Sequence, residues 1–339
     1  MITTKQLQVK TKQLDEIVKD YKNQAPKKKR DWRTYEEQIF KRLQTAFDEL
    51  RPLVFEATEE LSISHAHSQG FCSKLTLEQK VLLLLLKHLF GKSNRNMACM
   101  TVLFSWLTGI HVSYKTIERL YSDQEVILAL HNLHILMLEK KGIEEADCTG
   151  DGTGYSLTIK KHYASYAQNL KDKAKTQKTK KKRSSKKKQF VYSFVIMDID
   201  TKMHVGYGTS FKSENEAYKR ALQMTKHSNV RINSFRLDRY YSKPGYAKEL
   251  QELFGEMNCY FIPKTNSKVR GPIIWSKMIK DFMENTHSYL KEYFKRNQSE
   301  SGFAEDKRRT GWKLNQKRYD RINTANNLTS LWHNLCWLE

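Results

Sequence analysis

Three carboxylates stand where predicted strands end or where a predicted helix passes, and these are positions at which side chains can meet. Asp151 lies in "GDGTGYSLTI", Asp238 ends the strand-like segment "INSFRLD", and Glu300 lies in "EYFKRNQSESGFAEDKRR". Carboxylate oxygens are the protein ligands that Mg²⁺ prefers. If the fold brings the three together, they can supply a site for two metal ions of the kind that acts in phosphoryl transfer.

The segment around the third carboxylate carries other reactive groups. Tyr293, Arg296, Glu300 and Lys307 follow one another at spacings of three, four and seven residues. On a helix that advances about 100° per residue, these four side chains fall within an arc of about 60°. Such a helix face is too polar to be buried in a hydrophobic core. An ordinary solvent-exposed face with ion pairs would have the same composition. Gly302 lies within this predicted helix and lowers its stability.

The charge of the chain indicates a polyanionic partner. The 339 residues include 60 Lys and Arg against 37 Asp and Glu, which gives a net charge of +23. The basic, low-complexity run Lys171–Gln189 cannot bury itself, so it is predicted to be a solvated loop. A solubilising linker would have a similar composition, but in so basic a protein we favour an arm that contacts phosphates.

The sequence has no pattern typical of a membrane or secreted protein. Its densest apolar run, "VLLLLLKHLF" at Val81–Phe90, is far shorter than the ~20 residues that span a bilayer. The N-terminus contains acidic residues and lacks the apolar segment of a signal peptide. We therefore expect a cytoplasmic protein.

Residues 1–140 are predicted to be helical, and they contain a candidate helix-turn-helix at about 97–122. An apolar helix near Met97–Leu107 meets a break at Thr108-Gly109, and a new helix begins after Ser113 with Lys115 and Arg119 in it. In a DNA-binding motif of this layout, the second helix lies in the major groove. Helical hairpins with a glycine turn also occur in proteins that do not bind DNA.

From about residue 145 the pattern is typical of strands. The segment Gln189–Phe211 reads as two strands joined by a turn at Asp200-Thr201-Lys202. The segment Asn229–Asp238 is a further strand, and the strand-like "CYFIPKTN" follows the predicted helix "KPGYAKELQELFGEM". Together these elements predict a mixed α/β fold for the second part of the chain.

The order of an aspartate, a hairpin, a second aspartate and then Tyr-x2-Arg-x3-Glu-x6-Lys resembles the DDE transposases of bacterial and archaeal insertion sequences. The resemblance is to the group with a Tyr-Arg-Glu-Lys signature, and it covers the chain from about Asp147 onward. "DGTGYS" is similar to the first aspartate segment of this group, and "LDRYYS" to the second.

The resemblance implies a ribonuclease-H-like catalytic domain at 145–339, with a mixed sheet flanked by helices. The residues themselves predict the basic loop at 171–189 and the all-helical region at 1–140. The N-terminal half matches no motif of the family, and DNA binding by this region is only the usual arrangement. The resemblance also implies that Asp151, Asp238 and Glu300 are the catalytic metal ligands for two Mg²⁺ ions, which Mn²⁺ could replace. The predicted contacts to DNA phosphates are Tyr293, Arg296 and Lys307, and the predicted DNA-binding residues of the helix-turn-helix are Lys115 and Arg119. The implied partner is double-stranded DNA of transposon ends and target, bound by a homodimer in the nucleoid.

The identity of the first carboxylate stays open between Asp147 and Asp151. "DCTG" and "DGTG" are near copies, so either aspartate fits the pattern. Asp151 is favoured because the following Gly152-Thr153-Gly154 would let the chain and DNA approach closely. The family pattern has an apolar strand before the first aspartate, whereas "ADCTG" precedes Asp151.

Two other functions fit the same residues. A DNA-binding protein without enzymatic activity, either a repressor or the product of a decayed element, would use the helix-turn-helix alone. The three carboxylates and the intact signature spacing favour the enzyme, since a repressor has no use for them. A nuclease of the same fold, which hydrolyses DNA without strand transfer, would carry the same residues.

Overall fold

The computed structural model describes residues 2–24, 31–65, 75–108, 112–157, 190–316 and 318–338. Up to residue 144, the described residues form helices and their connections. The helices described there are α1 (Thr4–Lys12), α2 (Leu14–Gln24), α3 (Trp32–His65), α4 (Leu77–Leu89), α5 (Asn94–Thr108), α6 (Tyr114–Leu120) and α7 (Gln124–Lys140). The predicted break at Gly109 and the basic run Lys171–Gln189 lie outside the described residues.

Capping side chains explain where two of these helices begin. Thr76 accepts the backbone N–H of Gln79, and the Gln79 side chain accepts the backbone N–H of Thr76, so the two form a capping box before α4. Ser113 accepts the backbone N–H of Thr116 and caps α6. The two helices predicted on either side of the break at Gly109 correspond to α5, which ends at Thr108, and α6, which begins at Tyr114.

A mixed sheet follows the helical region. Its strands are β1 (Glu145–Leu157), β2 (Phe190–Asp198), β3 (His204–Ser210), β4 (Arg231–Arg236), β5 (Asn258–Tyr260) and β6 (Lys313–Leu314). The order is β3-β2-β1-β4-β5, in which β2 is antiparallel to β1 and β3, and β4 is parallel to β1 and β5. This is the ribonuclease-H-like order, so the predicted fold class is confirmed. The short β6, which was not predicted, runs parallel to the end of β1.

Helices cover both faces of the sheet. They are α8 (Glu214–His227), α9 (Pro244–Phe254), α10 (Ile273–Glu284), α11 (Thr286–Phe294), α12 (Asn297–Thr310) and α13 (Tyr319–Cys336). On one face of the sheet α8 packs against β3, and on the other face α13 packs against β3. On the α13 side, Asn326 Nδ2 donates to Ser193 Oγ at 2.9 Å and to Thr209 Oγ1 at 2.8 Å. α13 also packs against α3, α4 and α7, so the helical region and the sheet share one hydrophobic core.

The glycines of β1 make room for the chain's own side chains. A Cβ at Gly152 would lie 2.5 Å from Glu214 Cδ, and one at Gly154 would lie 1.6 Å from Phe190 Cζ. The space beside both glycines is therefore filled from within the protein, and a close approach of DNA to this segment stays a prediction.

The helix predicted across Tyr293 to Lys307 is broken in two. α11 ends at Phe294 and α12 begins at Asn297. Between them the backbone N–H of Arg296 donates to Tyr293 O at 3.1 Å, an i→i−3 bond that tightens the turn. Tyr293 therefore lies on a different helix from Glu300 and Lys307, and the four do not belong to one continuous helix.

No helix in the described ranges is both long enough and apolar enough to cross a membrane.

The close packing of α8 on β3 predicts a strong response to one added methyl group. In Gly208→Ala the new Cβ would lie 2.1 Å from the backbone oxygen of Ala217, so backbone must move. We expect this change to lower the free energy of unfolding by about 2 kcal/mol in urea denaturation.

Gly245→Ala, near the start of α9, is the matched control. A Cβ at Gly245 meets no atom within 4 Å. We therefore expect the free energy of unfolding to rise by about 0.5 kcal/mol, because alanine has a better helix propensity than glycine. Similar small effects at both glycines would show that α8 is not closely packed on β3.

Candidate active site

The pairing of β1 with β4 brings Asp151 and Asp238 to the same face of the sheet. The parallel register pairs Thr149 with Arg236. Asp151 lies two residues after Thr149, and Asp238 lies two residues after Arg236. Side chains two residues apart in extended chain point to the same side. Asp238 precedes the short 3₁₀ turn Arg239–Tyr241 without capping it through its side chain.

The guanidinium of Arg296 lies among the three predicted carboxylates. Its Nη1 is 3.6 Å from Asp151 Oδ2, and its Nη2 is 3.9 Å from Asp238 Oδ1 and 3.1 Å from Glu300 Oε1. The Arg296 side chain is only 15% exposed. One largely buried cation therefore offsets the repulsion among three carboxylates that come from β1, the end of β4 and the first turn of α12.

Asp151 is the most buried of the three carboxylates. Burial raises the pKa of Asp151 to about 6, while a hydrogen bond from the Gly152 N–H and the charge of Arg296 lower it. Arg296 Nη1 is buried and makes no hydrogen bond within the described part of the chain, because Asp151 lies at ion-pair distance only. The negative charge of the Asp151 carboxylate is thus only partly balanced, and binding of a further cation beside it would be favourable.

Lys307 lies further along the same face of β1. Its Nζ donates to Thr153 Oγ1 at 2.5 Å and is 4.6 Å from the centre of the Trp312 ring. Burial lowers the pKa of Lys307. Thr153 is two residues after Asp151, so Lys307 holds a positive charge next to the candidate site.

Tyr293 is more buried than a residue predicted to contact DNA phosphates should be. Its side chain is 6% exposed, and its ring centre is 5.8 Å from the guanidinium carbon of Arg296. In this arrangement Tyr293 contacts the cation of the site, and burial raises the pKa of its phenol.

Asp147 has different partners from Asp151. Its carboxylate accepts the hydroxyl of Ser234 and lies 3.9 Å from Arg236 Nη1. Arg236 is 2% exposed and also donates to Glu292. Asp147 and Asp151 are four residues apart on a strand, or about 13 Å. The structure therefore groups Asp151, and not Asp147, with Asp238 and Glu300.

Lys115 and Arg119 lie on α6 in the helical region. Both side chains are exposed, whereas Ile117 and Leu120 on the same helix are buried. Glu118 pairs with Arg321 of α13, which ties α6 to the core. The two predicted DNA-binding residues are therefore presented to solvent on a fixed helix.

Comparison with known proteins identifies the family. No protein-family model matches the sequence. The chain is 41% identical over 324 residues to the probable transposase for insertion sequence element ISA1214 of Archaeoglobus fulgidus, and the match covers 95% of this chain and 92% of the relative. The chain belongs to the transposases of insertion sequence elements. This confirms the resemblance at the level of a transposase, while the Tyr-Arg-Glu-Lys subgroup stays a prediction.

The transposase also contains a buried group that the sequence analysis missed. His204 at the start of β3, Asp306 on α12 and His333 on α13 are each at most 2% exposed, and one ligand atom from each lies within 4.8 Å of the others. Such a group could hold a metal ion. These residues are far apart in sequence and form no spaced motif, so only the fold could reveal them.

As it stands, the group is a hydrogen-bonded network that includes the ion pair of Arg309 with Asp306. His333 Nδ1 is 2.8 Å from Asp306 Oδ1, and its Nε2 is 2.8 Å from the carbonyl of Lys202. Arg309 Nη1 lies 3.2 Å from Asp306 Oδ1. The rings of His204 and His333 stack at 3.6 Å with 7° between their planes, so their in-plane lone pairs cannot meet at one ion unless a ring turns. Asp306 therefore fixes α12 to α13.

Removing the charge of Asp306 should destabilise this transposase strongly. In Asp306→Asn, the partly exposed Arg309 and the buried His333 lose their partner, and we expect the free energy of unfolding to fall by about 3 kcal/mol. Urea denaturation in EDTA measures this change. Asp320→Asn, at an exposed pair with Arg318, is the control and should change stability by less than about 0.5 kcal/mol.

A metal ion in this group would give a different result. EDTA alone would then lower the stability of the unmutated protein by as much as the Asp306→Asn substitution does, and elemental analysis would find the ion.

Proposed function

We propose that this transposase is a DDE enzyme that cleaves the ends of its element and joins them to target DNA by metal-dependent phosphoryl transfer. The observation that carries the proposal is the convergence of Asp151, Asp238 and Glu300 on Arg296. A protein that only binds DNA has no need for three carboxylates from distant segments around one cation.

The residues present fit two Mg²⁺ ions, or Mn²⁺ in their place. Asp151, Asp238 and Glu300 supply the hard oxygen donors that these ions prefer. Burial raises the pKa of Asp151, so its carboxylate gains from any nearby cation. When bound, the ions would neutralise charge on the scissile phosphate and on the attacking and leaving oxygens.

The cations of the site would hold the DNA strand. Arg296 is within 4 Å of all three carboxylates, so a change in their charge balance frees its guanidinium to donate to a phosphate. Lys307 lies on the same face of β1 and would contact a neighbouring phosphate. The buried ring of Tyr293 would act through Arg296, whose orientation it limits.

We propose further that residues 1–140 form the DNA-binding region and 145–339 the catalytic region, with α5 and α6 as the helix-turn-helix. The net charge of +23 supports double-stranded DNA as the partner. Exposed Lys115 and Arg119 on α6 would read the element ends. Pairing of two ends calls for a homodimer.

The proposed chemistry is tested by removing one charge at a time. Asp151→Asn, Asp238→Asn and Glu300→Gln keep side-chain size but remove the charge that holds the ions. We expect each to slow cleavage and joining by about 10³-fold or more, measured on labelled element ends, while DNA affinity is kept. Asp147→Asn is the control and should remain active. Inactivity of Asp147→Asn with an active Asp151→Asn would show that the first carboxylate is misassigned.

The strand-transfer assay separates this proposal from its rivals. With Mn²⁺ and a pre-cleaved element end, the unmutated protein should join that end to target DNA. Hydrolysis without joining would identify a nuclease of the same fold. Tight binding with neither reaction would identify a DNA-binding protein without activity.

The proposed reading of element ends by α6 has its own test. Lys115→Ala with Arg119→Ala should weaken binding to element ends by about 1–3 kcal/mol per base contact, with a smaller effect on random DNA. Fluorescence anisotropy at fixed salt measures both affinities. Lys219→Ala with Lys226→Ala, two exposed lysines on α8, is the control of equal charge. An equal loss on both DNAs from the α6 variant would show that these residues contact phosphates only.

A further inference from the structure

Lys87 is a buried lysine without an acidic partner among the described residues. It lies on α4, is 3% exposed, and its Nζ donates to the hydroxyl of Tyr121 at 2.6 Å. Burial lowers the pKa of Lys87 to about 8, so the ammonium still carries most of its charge at neutral pH. A buried charge normally has a counter-charge, because hydrogen bonds to neutral groups do not repay its lost hydration.

A small pocket of about 20 Å³ opens beside Lys87. Its lining residues in the described chain include Lys92 and Lys313, both exposed, and no carboxylate. The space accepts one water-sized group, such as a single oxygen of an anion. Among the described residues, three lysines and no carboxylate line this oxygen-sized space, an arrangement typical of an anion site.

The pocket lies between the candidate active site and the helix pair α5–α6. Lys313 on β6 pairs with Ser156 of β1, which is five residues beyond Asp151, or about 16 Å along the strand. On the other side, Gln316 from the pocket donates to Asn94 Oδ1, at the first residue of α5, at 3.4 Å. DNA held by α6 with its scissile phosphate near Asp151 would pass this point.

We propose that the Lys87 pocket binds one backbone phosphate of the element end, a few nucleotides from the scissile phosphate. The proposal rests on the proposed function for the direction in which the DNA runs. A phosphate oxygen enters the pocket and provides the counter-charge for Lys87, while Lys92 and Lys313 contact the same phosphate from the rim.

Lys87→Met tests this proposal, since it keeps the hydrocarbon chain and removes the charge. We expect the affinity for an element-end duplex, measured by fluorescence anisotropy, to fall about tenfold. The slope of log K against log salt should become shallower by about 0.9, the value for one phosphate contact. Lys248→Met is the matched control, because exposed Lys248 pairs with Glu252 at 3.2 Å and should leave both quantities unchanged.

A scan with neutral linkages locates the phosphate. Duplexes that carry one methylphosphonate each are bound to the unmutated protein and to Lys87→Met. One linkage, a few nucleotides from the cleavage site, should weaken binding to the unmutated protein and have a smaller effect on the variant, which keeps only the contacts of Lys92 and Lys313. If every linkage affects both proteins equally, no phosphate occupies the pocket and the proposal is wrong.

Inorganic phosphate tests whether the pocket binds a free anion instead of a phosphate of DNA. If it raises the melting temperature of the unmutated protein but not of Lys87→Met, and DNA affinity is equal in the two, the pocket takes a free anion and the DNA assignment is overturned.

The outcome does not depend on catalysis. Unchanged DNA affinity and salt slope in Lys87→Met overturn the pocket even if the carboxylate variants are inactive. If the carboxylate variants are active, the proposed chemistry is wrong. A loss of DNA affinity in Lys87→Met would still support the phosphate pocket. Should Lys87→Met fail to fold, Lys92→Ala with Lys313→Ala on the rim must make the salt slope shallower, and an unchanged slope overturns the proposal.

Discussion

The alternation of side chains along β1 organises this protein. Residues two apart on a strand share a face, so the odd-numbered positions carry Asp147, Asp151 and Thr153 toward α11 and α12. The even-numbered positions carry Gly150, Gly152 and Gly154, beside which Leu237, Glu214 and Phe190 lie in the space that a Cβ would need. One strand thus provides the polar groups of the candidate site and the close packing that fixes them.

Electrostatics then decides how the site can exist without a bound ion. Three carboxylates close together would repel, and Arg296 offsets that repulsion from the turn between α11 and α12. Deeper in the protein, Asp306 is satisfied by His333 and Arg309. The negative charge of Asp151, Asp238 and Glu300 is only partly balanced, so that cluster can accept a cation. The charge of Asp306 is balanced by its neighbours, and Asp306 fixes α12 in place.

The sequence predicts most of the elements because their patterns are local. The hairpin of β2 and β3 follows from two β-rich runs around Asp200-Thr201-Lys202, and Asp238 was found because it follows a strand. The break before Asn297 has neither proline nor glycine to indicate it, so Arg296 was placed on the wrong element. The burial of Lys87 and the network of Asp306 depend on residues distant in sequence, and no local pattern reports such contacts.

The position of α13 has a consequence for how the chain acquires its structure during synthesis. This helix comes late in the sequence, yet it is buried from Leu328 to Cys336 and packs against α3, α4, α7, α12 and β3. Long-range contacts of this kind slow folding because chain entropy is lost before they form. The earlier helices and the sheet cannot complete their shared core until α13 has left the ribosome. The candidate site, which includes residues of α12, is therefore among the last parts of the molecule to become ordered. A premature stop codon upstream of α13 would yield a chain without a closed core.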